Sequence, residues 1–292
     1  MICEITENFE RGKHARIGRI TQFTVLDTTV RIATNSKAID CRLQDIRVKA
    51  QDPIVASRTL TIEVLKKEGA YVVIEEGEVL VSSPDAERIT LYLHELINYR
   101  ISGYMSDLIK VHAASGSLKG KRFLLIGDKG AGKTTLITRL LFEDTAVYGD
   151  ETVLLQGEAV LPFPRKFHLK EGTLSLVPQL VPICENLMRY PAYYGGRFCF
   201  FDPTDAGCDW RITKGQVDAL FYLEPRHTER TDIERCPDWL MVQKLLLQAS
   251  DFASNPEAHI GQLCHLVDAS ENFICYLGEL DRAVLLLKDL LA

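Results

Sequence analysis

The residues with the clearest chemical potential form a glycine-rich segment from Gly127 to Thr135. The segment fits the phosphate-binding loop pattern of glycine, any four residues, glycine, lysine, then serine or threonine. Glycines allow backbone angles that other residues avoid, so successive N–H groups can face an anion. In this pattern Lys133 reaches the β- and γ-phosphates, and the Thr134 hydroxyl binds Mg²⁺. The predicted nucleotide-binding residues are Gly127, Asp128, Lys129, Gly130, Ala131, Gly132, Lys133, Thr134 and Thr135.

The segments on either side of this loop support the prediction. Residues 122–126 are an apolar run typical of a buried strand, and residues 136–141 are typical of the start of a helix. The order strand, loop, helix is the context that the pattern requires. The partial positive charge of the helix N-terminus adds to the attraction for phosphate. A glycine-rich turn that fits a short pattern by chance would lack this context.

Acidic residues follow two other predicted strands. Asp150 and Glu151 come directly after residues 146–149, and Glu224 comes after residues 219–223. Either position could hold Mg²⁺ beside a bound nucleotide. Because one helix and a short turn separate Lys133 from Asp150, we expect the strand that ends at Asp150 to return beside the strand that enters the loop.

Composition excludes several classes of protein. The chain has 292 residues, of which 46% are hydrophobic and 25% charged, as in an ordinary globular protein. Its net charge of −6 argues against a general electrostatic grip on nucleic acid. No apolar run reaches the roughly 18 residues of a membrane span. We therefore expect no nucleic-acid partner and no membrane insertion.

The eight cysteines contain no Cys-x-x-Cys pair, and no signal-peptide pattern precedes them. Scattered reduced thiols predict a cytoplasmic protein. Cys264 and His265, with His259 nearby, match no standard zinc spacing, so a metal site there is not expected.

Two modules are predicted. Residues 1–108 hold short alternating runs that favour strands, followed by a helix with an apolar stripe from Ile89 to Leu108. Residues 109–292 hold the phosphate-binding loop. We predict an α/β fold with a P-loop nucleotide-binding domain at 109–292 and a smaller, mainly antiparallel β (α+β) domain at 1–108.

Within the second module we predict a strand at 109–114, a turn at 115–120 and the strand into the loop, so a β-hairpin precedes the loop. Residues 152–155 and 159–161 predict another hairpin, and residues 216–223 a buried strand. The segment 172–208 is predicted to be irregular.

This arrangement resembles the HPr kinase/phosphorylase family, whose fold is related to that of ATP-dependent phosphoenolpyruvate carboxykinases. His112, in Val-His-Ala-Ala, stands one hairpin before the loop, as that family's histidine does. Asp150 and Glu151 stand where the family has paired aspartates, and Leu-Pro-Phe-Pro-Arg at 161–165 resembles its proline-bearing segment. The resemblance covers roughly residues 109–225.

The resemblance implies a kinase that uses ATP and Mg²⁺. Asp150 would be the general base that deprotonates the attacking hydroxyl, with His112 as a second catalytic residue. Thr134, Asp150 and Glu151 would hold the metal. One of Arg165, Arg197 and Arg211 would stabilise charge on the moving phosphoryl group. The implied acceptor is a serine of a protein, a peptide or a small molecule, and because such relatives often form oligomers a homo-oligomer is an open alternative.

Some positions depart from the family. Glu151 replaces the second aspartate, Lys129 stands where serine is common, and the first module does not match the family's regulatory domain. The chain therefore resembles a divergent relative. The alternative function is a nucleotide-dependent ATPase, switch or assembly factor with no phosphoryl acceptor other than water. His112 could also be an ordinary histidine between two strands.

Overall fold

The computed structural model describes residues 18–50, 55–157, 159–192, 195–226, 229–250 and 256–292. It is a mixed α/β structure with several sheets. The chain divides into two compact units, Met1–Val48 with Ile54–Gly103 and Lys49–Pro53 with Tyr104–Ala292. Within the described parts, no helix is long and apolar enough to cross a membrane.

The first unit is built on a five-stranded sheet in the order β1-β2-β3-β4-β5. Strands β2 and β3 are parallel, and the other described neighbours are antiparallel. The elements are β1 Arg19–Val25, β2 Thr28–Thr34, α1 Lys37–Ile46, β3 Arg58–Lys67, β4 Ala70–Glu75, β5 Glu78–Ser83 and α2 Ala86–Gly103.

Helix α1 was not predicted, and it explains the parallel pair. Its N-cap Ser36 accepts a hydrogen bond from the Ile39 N–H, and Ile39, Leu43 and Ile46 bury one face. Parallel neighbours need a crossover connection, which a helix can supply. Strand β2 therefore continues through α1 into β3 rather than through a hairpin.

The second unit holds the predicted loop between β8 and α3. Its strands are β6 Ile109–Val111, β7 Ala113–Leu118, β8 Lys121–Ile126, β9 Thr145–Gly149, β10 Val153–Gln156, β11 Ala159–Pro162, β12 Phe167–Lys170, β13 Arg189–Pro191, β14 Arg197–Phe201, β15 Ala219–Pro225, β16 Asp232–Arg235, β17 Ala249–Ser250 and β18 Glu271–Leu277. Its helices are α3 Lys133–Leu140, α4 Glu171–Leu176, α5 Val181–Cys184, α6 Asp238–Gln248, α7 Pro256–Asp268 and α8 Leu280–Leu290.

The central sheet of this unit has the order β16-β18-β15-β8-β7-β9. Strands β18, β15 and β8 are parallel, so their carboxyl ends meet at one edge, where the loop begins. The rings of Phe123, Phe221 and Phe273 pack in a row across these strands on one face. On the other face the sheet packs against α6 and α7 through Met241 and Leu263. Burial on both faces explains why the strands are continuous apolar runs.

Two further sheets complete the unit. One has the order β11-β10-β6-β17 and the other β12-β14-β13, and their described neighbours are antiparallel. The predicted irregularity of residues 172–208 is wrong, because this segment contains α4, α5, β13 and β14. The side chains of Tyr190, Phe198 and Phe200 pack against one another there and give the segment its own apolar cluster.

The hairpin before the loop also differs from the prediction. Residues 109–114 form two strands in different sheets, β6 and β7, with His112 between them. The turn is confined to Lys119 and Gly120, and β7 continues through residues 115–118. Gly116 serves packing rather than a turn, because a Cβ there would lie 2.9 Å from Cζ of Phe123.

The sequence predicts that β9 lies beside β8, but in the structure it does not. It pairs with β7, which occupies the position next to β8. Asp150, just beyond β9, is thus separated from the loop strand by β7.

Candidate functional site

The loop from Gly127 to Gly132 has a backbone that only glycine adopts without strain at three positions. The φ angles are +150° at Gly127, +88° at Gly130 and +99° at Gly132. A Cβ at Gly127 would lie 2.9 Å from the carbonyl oxygen of Leu223, and one at Gly132 would lie 2.6 Å from Cδ2 of Leu277. The loop therefore lies directly against the carboxyl ends of β15 and β18.

Gly127→Ala is expected to lower the free energy of unfolding by about 3 kcal/mol, because the methyl group meets a backbone carbonyl and the φ angle is unfavourable. Gly130→Ala is the matched control. It has a positive φ angle but open space around its Cβ, so we expect a loss of about 1 kcal/mol. Urea unfolding of both variants measures the difference, and equal losses would contradict the close approach of the loop to β15.

The ammonium group of Lys133 lies inside the loop. Its side chain is buried, and Nζ donates to the carbonyl oxygens of Gly127 at 2.5 Å and Asp128 at 3.1 Å. Burial lowers the pKa of Lys133, and the charges of Asp150 and Glu151 oppose this shift. The positive charge is thereby held where the loop would enclose a phosphate.

The Thr134 hydroxyl contacts the acid beyond β9. Thr134 Oγ1 donates a hydrogen bond of 2.8 Å to Oδ2 of Asp150, which is almost completely buried. Burial, followed by the charge of Glu151, raises the pKa of Asp150 to about 7, although the bond from Thr134 acts in the opposite direction. Hydroxyl and carboxylate oxygens this close form a donor set that suits Mg²⁺, a hard cation.

Gly116 in β7 allows the contact between Thr134 in α3 and Asp150 beyond β9. A Cβ at Gly116 would lie 3.3 Å from Cδ1 of Ile137, so α3 packs closely against β7 at this point. Since β9 lies on the far side of β7, the close approach brings the first turn of α3 to Asp150. The sequence contains Gly116, but its role depends on the pairing of β7 between β8 and β9.

Glu151 adopts a positive φ angle of +72°, which is unusual for a residue with a side chain. Its carboxylate oxygen Oε2 lies 3.0 Å from Nη1 of Arg165, and Oε1 lies 4.0 Å from Nδ1 of His168. Its backbone carbonyl accepts a hydrogen bond from Nδ1 of His112 at 2.9 Å. Glu151 therefore contacts both His112, through its backbone carbonyl, and Arg165, through its carboxylate.

His112 is held in a defined state. Burial, followed by the positive charge of Lys133, lowers its pKa. Because Nδ1 donates to a carbonyl, Nε2 of the neutral ring has a lone pair and can accept a proton.

The remaining candidates take different positions. Of the three candidate arginines, Arg165 forms an ion pair with Glu151 within the described part of the chain. Arg197 donates to the carbonyl oxygen of Arg189, and Arg211 pairs with Asp209 at 2.6 Å. Glu224 pairs with Lys244 at 2.8 Å rather than with the loop threonine.

Within the loop, the backbone N–H of Ala131 donates to the carbonyl oxygen of Asp128. The Lys129 side chain is exposed. The Thr135 hydroxyl lies 3.1 Å from that of Thr173, so it faces α4. Thr134 rather than Thr135 is thus directed to the acids.

Sequence reasoning missed Gln248, the last residue of α6. Its Nε2 donates to Oδ1 of Asp128 at 2.7 Å, and its carbonyl oxygen accepts the backbone N–H of His112 at 2.8 Å. Gln248 therefore links the loop to the strand junction that holds His112. No local pattern marks it, because a glutamine at the end of an amphipathic helix is ordinary.

Cys264, His265 and His259 were not expected to bind a metal. All three lie in α7, and no group of potential metal ligands found in the described part of the chain includes any of them.

Neither the known protein-family models nor the curated proteins contain a match to this chain. Among solved structures, the Hpr(Ser) kinase/phosphatase from Coxiella burnetii is similar at 15% sequence identity and a TM-score of 0.25. The alignment covers 41% of this chain and 61% of that protein's chain, so it spans less than two thirds of that protein.

Proposed function

We propose that this protein is an ATP-dependent phosphotransferase that moves the γ-phosphoryl group to a hydroxyl, a serine of a protein, a peptide or a small molecule. The observation that carries the proposal is the hydrogen bond between Thr134, at the start of the loop helix, and the buried Asp150. It joins a phosphate-binding loop to an acid, which are two of the parts that phosphoryl transfer needs.

In this proposal the loop binds the triphosphate. Backbone N–H groups at the start of α3 and the ammonium group of Lys133 provide positive charge. The absence of side chains at Gly127 and Gly132 lets the loop pack against the ends of β15 and β18. Positioning and charge stabilisation supply most of the catalysis in this class of reaction.

The residues that would hold Mg²⁺ are Thr134 and Asp150, with the carboxylate of Glu151 as a third ligand. Their oxygen atoms fit the preference of this ion. When bound, Mg²⁺ would neutralise charge on the phosphate oxygens.

Asp150 is assigned the role of general base. It accepts the proton of the attacking hydroxyl, whose oxygen forms a bond to the γ-phosphorus as the bond between that phosphorus and the ADP oxygen breaks. His112, through Nε2, would assist by accepting or relaying the proton. Arg165, which contacts Glu151, would stabilise charge on the moving group.

The test is transfer from γ-labelled ATP by the full chain with Mg²⁺, in the presence of free serine, a seryl peptide, or water alone. We expect label on a hydroxyl acceptor. Release of labelled phosphate alone, at the same rate in all three mixtures, would favour the alternative of an ATPase or switch. Absence of both ATP binding and turnover would contradict both functions.

A further inference from the structure

An arginine and a tyrosine form a stacked pair at the edge of the sheet where the loop begins. Arg226 follows β15 directly, and Tyr276 is the penultimate residue of β18. The guanidinium carbon of Arg226 lies 3.7 Å from the centroid of the Tyr276 ring. The Arg226 side chain is 46% exposed and that of Tyr276 is half-buried.

We propose that this pair is a stacking subsite for the aromatic base of the nucleotide, an inference that rests on the proposed function. The planar guanidinium group stacks on the tyrosine ring and leaves an outer face on which a base can lie. Stacking of this kind recognises any aromatic base, because every base has a π face.

The location of the pair relative to the loop supports this assignment. Leu277, next to Tyr276, lies against Gly132, and Leu223, three residues before Arg226, lies against Gly127. The carboxyl ends of β15 and β18 therefore border the phosphate-binding loop directly.

The expected direction of a bound triphosphate also supports a base subsite at Arg226 and Tyr276. In the sheet order β9-β7-β8-β15-β18, Asp150 and His112 belong to the β7 and β9 side of the loop strand. Arg226 and Tyr276 belong to the opposite side. A triphosphate with its γ-phosphate at Asp150 would direct its nucleoside end toward β15 and β18.

The stacked pair is held before any ligand arrives. The Arg226 N–H donates to the carbonyl oxygen of Leu277 at 2.8 Å, and the Tyr276 hydroxyl donates to Glu234. The N–H of Gly278 donates to Thr231 Oγ1 at 2.9 Å. Such preorganisation lowers the cost of binding.

A second stacked pair offers a matched control. Arg235 of β16 lies over the ring of Phe273 at 4.6 Å, so this pair shares β18 with the first but lies toward the amino end of that strand. It has the same chemistry and lies at the opposite end from the loop. If such pairs only stabilise the sheet, the two arginines should behave alike.

The test compares the dissociation constants of ATP and inorganic tripolyphosphate, measured by calorimetry on the full chain. For Arg226→Ala we expect about a tenfold weaker affinity for ATP and less than a threefold change for tripolyphosphate. Tyr276→Leu should act in the same direction, whereas Tyr276→Phe, which retains the ring and loses only the bond to Glu234, should lose less ATP affinity than Tyr276→Leu. Arg235→Ala should change neither constant.

Three results would overturn the subsite. They are equal ATP affinity in Arg226→Ala and Arg235→Ala, parallel loss of ATP and tripolyphosphate affinity, and a wild-type protein that binds tripolyphosphate as tightly as ATP. The third result would not contradict the proposal that the loop binds phosphate. A wild-type protein that binds neither ligand would instead remove the proposed function, and this subsite with it.

Discussion

Replacement of Asp150 by asparagine is expected to lower the rate of γ-phosphoryl transfer by about 10³-fold. Asparagine has nearly the same shape, and its side-chain oxygen can still accept the hydrogen bond from Thr134, so the fold and the loop should persist. What is lost is a group that can take a proton from the attacking hydroxyl. Single-turnover transfer of labelled phosphate, with ATP binding measured in parallel, checks this result.

The matched control is Asp218→Asn. Asp218 also accepts a hydrogen bond, from the Arg122 N–H at 2.7 Å, but it lies before β15, at the opposite end of the sheet from the loop. We expect this variant to retain wild-type transfer. Undiminished transfer by Asp150→Asn would show that the base assignment is wrong.

Magnesium separates the two roles that Asp150 can have. Because Asp150 is proposed to hold Mg²⁺ as well as to act as the base, Asp150→Asn should weaken the increase in ATP affinity that Mg²⁺ produces. If Asp150 is also the base, excess Mg²⁺ should restore this affinity but not the rate. If Asp150 serves only as a metal ligand, excess Mg²⁺ should recover part of the activity as well. His112→Gln, measured in the same way, shows whether His112 contributes to proton transfer.

Lys133→Ala is expected to weaken ATP affinity by about 100-fold, or about 2.7 kcal/mol. A lysine in this position makes charge-assisted hydrogen bonds to phosphate oxygens, which contribute about 1.5–3 kcal/mol. Burial of Lys133 within the loop places its charge where solvent cannot screen it. Calorimetric titration with ATP measures the loss.

Lys129→Ala is the control for the general effect of charge. It removes the same charge from the same loop, but the Lys129 side chain is exposed and its backbone N–H remains. We expect its effect on affinity to be at least tenfold smaller than that of Lys133→Ala. Because Lys133 also bonds to two loop carbonyls, urea unfolding should accompany the titration. Unchanged ATP affinity in a folded Lys133→Ala protein would contradict the phosphate-binding loop.

The strand and helix that flank the loop could be predicted from local sequence. An apolar run at 122–126 and a helical pattern after Lys133 are signals within a few residues, and the structure has β8 and α3 there. The unusual backbone conformation at Gly127, Gly130 and Gly132 could likewise be predicted, because glycine adopts positive φ angles without strain.

The arrangement of the strands could not be predicted in the same way. Gly116 was interpreted as part of a turn, although it packs against Phe123 and Ile137 within β7. Only the structure shows that β7 lies between β8 and β9. Pairing of strands depends on contacts between distant residues, and glycine serves equally well in turns and in close packing.

The sequence by itself therefore determined the loop, its flanking elements and the acids that were candidates to act with it. The resemblance had already favoured Asp150 over Glu224, and the tertiary structure shows Asp150 in contact with Thr134. Only the tertiary structure brings Gln248 to Asp128 and Arg226 onto Tyr276. The physical reason is that backbone conformation is set by neighbours in the chain. A site is set by side chains that meet only after the sheet has formed.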